Sequence, residues 1–441
     1  MLVNPLRRMR SFRQAKSGNV ATIFAVVLVP LIAALGCAVD YSRAVKIRSK
    51  IQSAIDSASV GAVTRTSPAF IAAGAMVTDG PIPVGITDAT NIFNGNMSGH
   101  GGFTLKHFTA DVRKSAGKVV STVEYSAHVP TSFTSIIGWK KLTITGTASS
   151  AASMPTYIDF YLLLDNSPSM GVGATPADVA TMVANTPDKC AFACHDTLDS
   201  NSYYKLAKTL GVTTRIDLLR SATQKLMDTA TQTATYPNQY RMAIYDFGAS
   251  AQTAGLRALF LLSSSLSSAK TRAGSIDLMS VNGQNDNNDQ DTPYTTAMPA
   301  LNKVIDAPGP GTAAAPQKYV FFVSDGVADE YNPAGCSKPT TSGRCQSPIN
   351  PSLCQALKDR NIKVAVLYTT YLELPTNGWY NTWIKPFNDG PYGPSPNSQI
   401  AINMQSCASP GLYFEVSPTQ GISDAMTALF NKAVADARIS S

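Results

Sequence analysis

The chain has 441 residues, 44% of them hydrophobic and only 15% charged, so it is long enough for two or three folded domains. A formal net charge of +7 would suit a nucleic-acid partner, but five of the 36 basic residues lie in the first 17 positions, which leaves 31 basic against 29 acidic residues. No basic stripe is interleaved with aromatic residues, so we expect no nucleic-acid partner. The five early basic residues are Arg7, Arg8, Arg10, Arg13 and Lys16.

An uncharged apolar run follows this basic tail, from Gly18 to Val39. As a helix it would be about 33 Å long, enough to cross a hydrocarbon core of about 30 Å. Lys and Arg are retained on the cytoplasmic side of a membrane, and Asp40 is the first charge after the run. The pattern therefore predicts a cytoplasmic tail (1–17) and a transmembrane helix (18–39) in a bacterial inner membrane. The remainder would lie in the periplasm or at the cell surface.

Three processed forms of this run are alternatives to an uncleaved anchor. A cleavable secretory signal peptide is disfavoured, because the run is longer than the apolar core of such a peptide and lacks an A-x-A cleavage site. A lipoprotein site at Cys37 would place a large aliphatic residue where the chain has Ala34. A prepilin leader ending at Gly18 would have Glu where the chain has Ile23. We therefore expect the anchor to be retained.

Residues 40–65 predict an amphipathic stalk helix that continues the span. Its apolar stripe consists of Ala44, Ile47, Ile51, Ala54 and Ala58, and it is widened by Ile55 and Ala62. We expect this stripe to pack on the helix's own domain. A helical seam that meets pilin-like partners in the membrane is the alternative.

Residues 66–155 predict a small α+β module. The stretch 66–100 is rich in Gly, Pro, Asn and Thr and is interpreted as loop, whereas 103–150 alternates as antiparallel strands do. The alternation is clearest in KVVSTVEYSA and LTITGTA.

Residues 156–441 predict an α/β domain with insertions. Short apolar runs alternate with helical patterns, which indicates a parallel-rich sheet covered by helices on both faces. The predicted strands are 157–164, 240–247, 318–325, 362–369 and 411–416, with 258–264 as an antiparallel edge strand. The predicted helices lie near 215–230, 296–306, 351–360, 398–406 and 421–437. The stretches 171–214, 248–257, 265–291 and 326–350 are interpreted as long loops.

Polar side chains follow two of the predicted strands. LLLDNSPSM places Asp165, Ser167 and Ser169 at a strand's carboxyl end, where open α/β sheets bind ligands, and VSDG places Asp325 after another strand. DTPYTTAM places Thr292 just before a helix, with Thr295 and Thr296 near enough to replace it. Carboxylates and hydroxyls form an all-oxygen site, which suits a hard divalent cation. A purely structural role for these residues is the alternative.

Together these three segments resemble the von Willebrand factor A domain and its metal-ion-dependent adhesion site. The resemblance covers about 156–437 and implies a Rossmann-like fold. It also implies that Ser167, Ser169 and Thr292 offer hydroxyls to Mg²⁺ (or Mn²⁺ or Ca²⁺), while Asp165 and Asp325 hold it directly or through water. An acidic side chain of a protein partner would then complete the coordination.

The N-terminal stretch SGNVATIFAVVLVP through AVDYSRAVKIRSKIQSAIDSASVGAV is similar to the segment shared by TadE- and TadG-like proteins. An A-type domain after such a segment resembles the TadG-like proteins of Flp (tight-adherence) pilus systems. The resemblance implies assembly, anchoring or presentation of a pilus, without enzymatic activity or a small-molecule substrate. An envelope adhesin or scaffold unrelated to pili is the alternative.

Six cysteines lie beyond the span, which in an oxidising compartment predicts up to three disulfides. Natural pairings are Cys190 with Cys194, and pairs among Cys336, Cys345 and Cys354; Cys407 is the sixth. A periplasmic redox or haem protein using Cys190, Cys194 and His195 is a further alternative. CAFACHD, however, has one residue too many for haem attachment, so a local disulfide is favoured.

Residues 282–291 hold a second acidic cluster, Asp286, Asp289 and Asp291. It is interpreted as a solvated loop in preference to a second cation site. The sequence has no P-loop, G-x-S-x-G or H-E-x-x-H motif, so no enzymatic reaction is indicated.

Overall fold

The computed structural model describes residues 19–76, 78–191, 196, 199, 201–283, 286–331, 343–371, 373–389, 396–416 and 421–439. These residues form two compact units, divided between Met154 and Pro155.

The first unit begins with one continuous helix of 44 residues, α1 (Asn19–Ala62). Its N-terminal part is long and apolar enough to cross a membrane. The predicted span and stalk are therefore a single helix. The C-terminal half buries the predicted stripe, including Ala44, Ile51 and Ala58, against the sheet of this unit. That face is thus covered within the chain, as expected for a helix packed on its own domain.

An antiparallel sheet in the order β1-β2-β3-β4 completes the first unit, together with two helices. The elements are α2 (Pro68–Ala75), β1 (Gly80–Pro81), α3 (Pro83–Met97), β2 (Thr104–Ser115), β3 (Lys118–Pro130) and β4 (Lys141–Ser153). A short 3₁₀ helix, Thr134–Ile137, lies between β3 and β4.

The interpretation of 66–100 as loop was wrong, because this stretch contains α2 and α3. Both helices begin with a proline, Pro68 and Pro83, which is favourable at a first helical position although proline is typical of loops. Ser67 caps α2 by accepting a hydrogen bond from the Phe70 amide. In α3, Ala89 and Phe93 are buried one turn apart.

The second unit is a six-stranded sheet in the order β12-β11-β8-β5-β6-β7. The strands are β5 (Ile158–Leu164), β6 (Tyr240–Asp246), β7 (Arg257–Ser263), β8 (Gln317–Ser324), β11 (Lys363–Thr369) and β12 (Tyr413–Val416). All neighbours are parallel except β6 and β7. The predicted buried strands and the antiparallel edge strand are therefore confirmed.

Helices cover both faces of this sheet, which explains why its strands are continuous apolar runs. The helices are α4 (Pro176–Asn185), α5 (Tyr203–Thr209), α6 (Arg215–Thr233), α7 (Leu266–Ala273), α8 (Tyr294–Val304), α9 (Ser352–Lys358), α10 (Lys385–Asp389), α11 (Gln399–Cys407) and α12 (Ile422–Ile439). In β5, Leu163 packs in the core on the face of α8, α9 and α11, whereas Leu162 packs with α6, α7 and α12. This is the α/β arrangement expected for a von Willebrand A-type domain.

Three of the stretches interpreted as loops hold regular elements. Helices α4 and α5 lie within 171–214, and α7 lies within 265–291. The stretch 326–350 contains an antiparallel pair, β9 (Val327–Tyr331) and β10 (Arg344–Pro348). These helices have at most ten residues, too few for a clear apolar period in the sequence.

A disulfide joins Cys354 in α9 to Cys407 in α11, so the expected pairing of Cys354 with Cys336 or Cys345 was wrong. The two helices pack on the same face of the sheet, which brings together cysteines 53 residues apart in sequence. Cys190 and Cys345 are also disulfide-bonded. Cys194 and Cys336 lie outside the described residues. Cys37 is free.

Candidate metal site

The predicted site lies where the two central strands, β5 and β8, end side by side. These strands are parallel and in register, with Leu164 opposite Val323. Asp165 therefore follows β5 beside the end of β8, where its amide donates to the Val323 carbonyl at 2.9 Å. Asp325 follows Ser324, the last residue of β8. Both carboxylates are fully buried.

Hydroxyl groups surround the Asp165 carboxylate. The Ser167 hydroxyl and amide donate to Asp165 Oδ1 at 2.5 and 2.9 Å, and the Ser324 hydroxyl donates to Oδ2 at 2.5 Å. Ser167 Oγ lies 3.1 Å from Ser169 Oγ, and the Ser169 hydroxyl in turn interacts with Asp325. Asp165, Ser167, Ser169 and Asp325 thus form one connected cluster.

Asp325 has an incomplete set of partners. Its Oδ1 accepts a long hydrogen bond from the Val327 amide at 3.4 Å. Its Oδ2 lies 3.8 Å from Nη1 of Arg215, the first residue of α6, and has no hydrogen-bond partner among the described residues. Nε and Nη1 of Arg215 likewise donate no hydrogen bond in that part of the chain, although this side chain is fully buried. A buried carboxylate oxygen and buried N–H groups therefore remain available to a further polar group.

Burial and mutual repulsion make the two carboxylates costly to charge. Burial, reinforced by the charge of Asp325, raises the pKa of Asp165 despite the hydroxyls that lower it. Burial likewise raises the pKa of Asp325, against the effects of Arg215 and of the Ser169 and Tyr371 hydroxyls. An added cation would offset this repulsion, because opposite charge favours the ionised form.

Thr292 is held at the same edge by its backbone. Its amide donates to the Asp329 carbonyl at 3.0 Å, and the Asp329 amide donates back at 3.3 Å. Two residues later, the Tyr294 hydroxyl shares a 2.5 Å hydrogen bond with Ser324, which itself contacts Asp165. The segment 292–294 is thereby connected to the cluster.

The two alternatives to Thr292 have their hydroxyls engaged elsewhere. Thr295 donates to Glu330 at 2.5 Å, and Thr296 donates to the Pro293 carbonyl at 3.1 Å. Thr292 therefore stays the candidate hydroxyl of this segment.

The donors suit a hard divalent cation. Two carboxylates and three hydroxyls offer only oxygen atoms, and one of these, Asp325 Oδ2, accepts no hydrogen bond from the part of the chain that the structure describes. Among the described residues, no group of three or more His, Cys, Asp or Glu side chains is arranged to hold a metal ion. The candidate site relies on hydroxyls beside two carboxylates instead.

The second acidic cluster is less solvated than expected. Asp291 is buried, and this burial together with the charges of Asp329 and Asp289 raises its pKa to about 8. Asp289 pairs with Arg344 at 3.0 Å. Asp286 accepts hydrogen bonds from the Asn282 amide and the Gln252 side chain. The prediction of a solvated loop was therefore wrong for Asp291.

Sequence reasoning missed four side chains of the site, namely Arg215, Tyr294, Ser324 and Tyr371. Arg215 approaches Asp325 from 110 positions away in sequence, so no local pattern pairs them. Ser324 could have been found from the sequence, because it precedes Asp325 at the end of a buried strand. The haem alternative falls partly outside the described residues, which exclude Cys194 and His195.

The N-terminal part of the chain is similar to a known protein family. The family model of Flp pilus-assembly TadE/G-like proteins matches residues 18–65. A search of curated proteins finds no match.

Solved structures resemble the chain distantly. They include the vWF domain of the type V pili tip protein Mfa5 from Porphyromonas gingivalis, with 10% identity and a TM-score of 0.36 over 65% of this chain and 97% of that one. Proximal thread matrix protein 1 from the mussel byssus has 13% identity and a TM-score of 0.33 over 64% and 46%. Manganese-loaded Plasmodium vivax TRAP protein has 13% identity and a TM-score of 0.31 over 71% and 78%.

The fold is assigned from the topology of the sheet and not from these similarities. Residues 18–65 match the model of the Flp pilus-assembly TadE/G-like family, and in this chain they precede an α/β unit with the strand order β12-β11-β8-β5-β6-β7.

Proposed function

We propose that this protein is a membrane-anchored pilus assembly or adhesion protein that binds a protein partner through a divalent cation, Mg²⁺ in the first instance. The observation that carries the proposal is the pair of fully buried carboxylates, Asp165 and Asp325, at the ends of adjacent central strands, with Asp325 Oδ2 unpartnered among the described residues. Ser167, Ser169 and Thr292 would hold the cation with them.

The charges of the buried groups suit a carboxylate ligand. Asp165 and Asp325 are two acids, and Arg215 is one base beside them. A divalent cation would leave this set with one positive charge in excess. An acidic side chain of the partner would neutralise that excess, and its oxygen would complete the coordination. The cation therefore supplies the electrostatic attraction, while the protein fixes where the carboxylate binds.

The N-terminal part supports an envelope location. Residues 18–65 match the TadE/G-like family, and α1 is long and apolar enough to span a bilayer. The positive-inside rule would keep the basic tail in the cytoplasm, so residues 40–441 would lie in the periplasm or at the cell surface. The Cys354–Cys407 disulfide is compatible with that oxidising side. Partners would then be pilus-apparatus or pilin-like proteins.

An enzymatic role has less support. No sequence motif places a general base beside Asp165, whose carboxylate oxygens are already engaged by Ser167 and Ser324. A binding module therefore explains the cluster better than a catalyst.

A comparison of cells tests the proposal. Asp165→Ala should abolish surface pili and attachment while the protein remains in the membrane at its normal level. Asp424→Ala is the matched control, because it removes an 82% exposed aspartate of the same unit and should leave both unchanged. Unchanged pili with lost attachment would favour a general envelope adhesin. Normal pili and normal attachment would contradict the proposed function.

A further inference from the structure

The turn between β3 and β4 carries four large apolar side chains in solvent. Phe133, Ile136, Ile137 and Trp139 are 45%, 82%, 57% and 65% exposed, all within Thr131–Lys140. Such a concentration of exposed apolar groups marks an interaction surface in a soluble environment. We call this segment, residues 131–140, the apolar loop.

The apolar loop is fixed to α1 by Asp40. The Asp40 carboxylate accepts the backbone amides of Ser132, Phe133 and Thr134 at 2.8 to 2.9 Å, and the Thr134 hydroxyl at 3.0 Å. Asp40 is itself buried. The carboxylate thus satisfies the free amides at the start of the 3₁₀ helix Thr134–Ile137.

Gly36 provides the second point of attachment. It lies one helical turn before Asp40 on the same face of α1, and a Cβ added there would clash with Phe133, at 2.9 Å from its Cγ. The absence of a side chain at Gly36 therefore lets Phe133 lie directly on the helix. The turn, which is distant in sequence, rests on the last turn of the apolar run.

This position sets the depth of the apolar loop relative to a bilayer. Asp40 is the first charged residue after the apolar run, and Gly36 lies within the run, about 6 Å further along the helix axis. Phe133 is therefore level with the end of the membrane-spanning part of α1. Other apolar side chains at the same level of α1, such as Leu35 and Val39, are exposed as well.

The composition of the apolar loop suits the boundary between lipid and water. Trp139 is followed by two exposed basic residues, Lys140 and Lys141. Trp is enriched at membrane interfaces, where Lys extends its ammonium group towards the headgroups and leaves its aliphatic stem in the apolar region. The isoleucines at the tip lack any polar group and would lie deeper.

We propose that the apolar loop is a second membrane anchor, which inserts Phe133, Ile136, Ile137 and Trp139 into the leaflet from which α1 emerges. This inference relies on the proposal that α1 spans the membrane. Two attachments, one through the helix and one through the turn, would fix the rotation of the first unit about the axis of α1. A single helix would leave that rotation free.

Tryptophan quenching in nanodiscs tests this proposal with the full-length chain. The chain has three tryptophans, so Trp379→Phe and Trp383→Phe leave Trp139 as the only tryptophan, which can be excited selectively over tyrosine. Nanodiscs with lipids brominated on the acyl chains quench only indoles that reach the bilayer. We expect Trp139 to be quenched, and Ile136→Asp with Ile137→Asp to reduce that quenching at least twofold.

Two further single-tryptophan variants, each also carrying Trp139→Phe, serve as controls. Phe24→Trp, 65% exposed in the apolar part of α1, should be quenched and reports on the span itself. Ile71 is 67% exposed, close to the 65% of Trp139, but it lies in α2 beyond the far end of α1, so Ile71→Trp should not be quenched. Because the two positions are similarly exposed, a difference in quenching between them would not reflect a difference in access to solvent.

The outcomes distinguish this anchor from the span. Quenching of Phe24→Trp without quenching of Trp139 would overturn the anchor while retaining the span, and would make the apolar loop a surface for another protein. No quenching of Phe24→Trp would overturn both. Equal quenching of Trp139 and Ile71→Trp would show the whole unit lying on the membrane, which also contradicts a specific loop anchor.

Discussion

The ion pair between Arg215 and Asp325 links the stability of the second unit to the candidate cation. Arg215→Gln leaves Asp325 buried without a positive neighbour, and breaking a buried pair costs about 3–5 kcal/mol. A bound Mg²⁺ would replace the lost positive charge, so we expect a smaller loss of unfolding free energy in Mg²⁺ than in EDTA. Urea transitions followed by the fluorescence of Trp379 and Trp383 measure this difference.

The control for this comparison lies at the opposite edge of the same sheet, where the strands begin. Arg241 pairs with Asp159 at 2.6 Å near the start of β5, away from the candidate site. Arg241→Gln should therefore destabilise the unit equally in Mg²⁺ and in EDTA. If Arg215→Gln shows the same insensitivity to Mg²⁺, no cation binds beside Asp325.

At the scale of residues, the sequence predicted the positions of the acids at strand ends better than the side chains around them. Asp165, Ser167 and Asp325 follow buried strands directly, so the rule that ligands bind at strand ends applies to each of them. Arg215 and Tyr371 reach the site only through the packing of α6 and of the segment after β11. Nothing local to either residue indicates that contact.

The start of α6 determines where Arg215 lies, and it depends on a carboxylate. Thr214 and Asp217 form a capping box, in which the Thr214 amide and hydroxyl donate to Asp217 at 3.0 and 2.6 Å. Burial tends to raise the pKa of Asp217, but hydrogen bonds from Lys208 and Thr214 outweigh it and lower the pKa to about 2. The cap is thus formed with an ionised Asp217.

The stabilising effect of Asp217 should depend on pH. Because its pKa is lower in the folded state than the usual 3.8, its contribution is complete above about pH 4 and is lost as the pH falls towards 2. We expect Asp217→Asn to lower the unfolding free energy by about 1 kcal/mol at pH 7 and by almost nothing at pH 2. Urea transitions of both proteins from pH 7 to pH 2 measure the difference. A difference independent of pH would show that the charge has no role.

At the scale of elements, the sequence predicted buried strands well and short helices poorly. Strands such as β5 and β8 are covered on both faces, so nearly every residue is apolar and the run is easily recognised. Helices α2 and α3 begin with proline, and only a narrow face of α3 is buried, which gives a weak apolar period. The disulfide between α9 and α11 depends on the tertiary packing of the two helices, which the spacing of the cysteines in the sequence does not reveal.

At the scale of the whole molecule, α1 combines two functions that the sequence suggested separately. Its N-terminal part is exposed and apolar, whereas its C-terminal part forms the core of the first unit. The TadE/G-like match covers both parts, from residue 18 to residue 65. The helix that would cross the membrane is therefore also the helix around which the first unit folds.

Divalent-cation binding by the second unit at Asp165 and Asp325 can be measured by calorimetric titration. Mg²⁺ and Mn²⁺ are titrated into the full-length protein in detergent, beside the double variant Asp165→Ala, Ser167→Ala. We expect binding at one site in the wild-type protein and none in the variant. Because the partner's carboxylate is missing from the titration, binding is expected to be weak, and the titration should extend into the millimolar range. Absence of binding there by a well-folded wild-type protein, or equal binding by the variant, would show that these residues do not hold a cation.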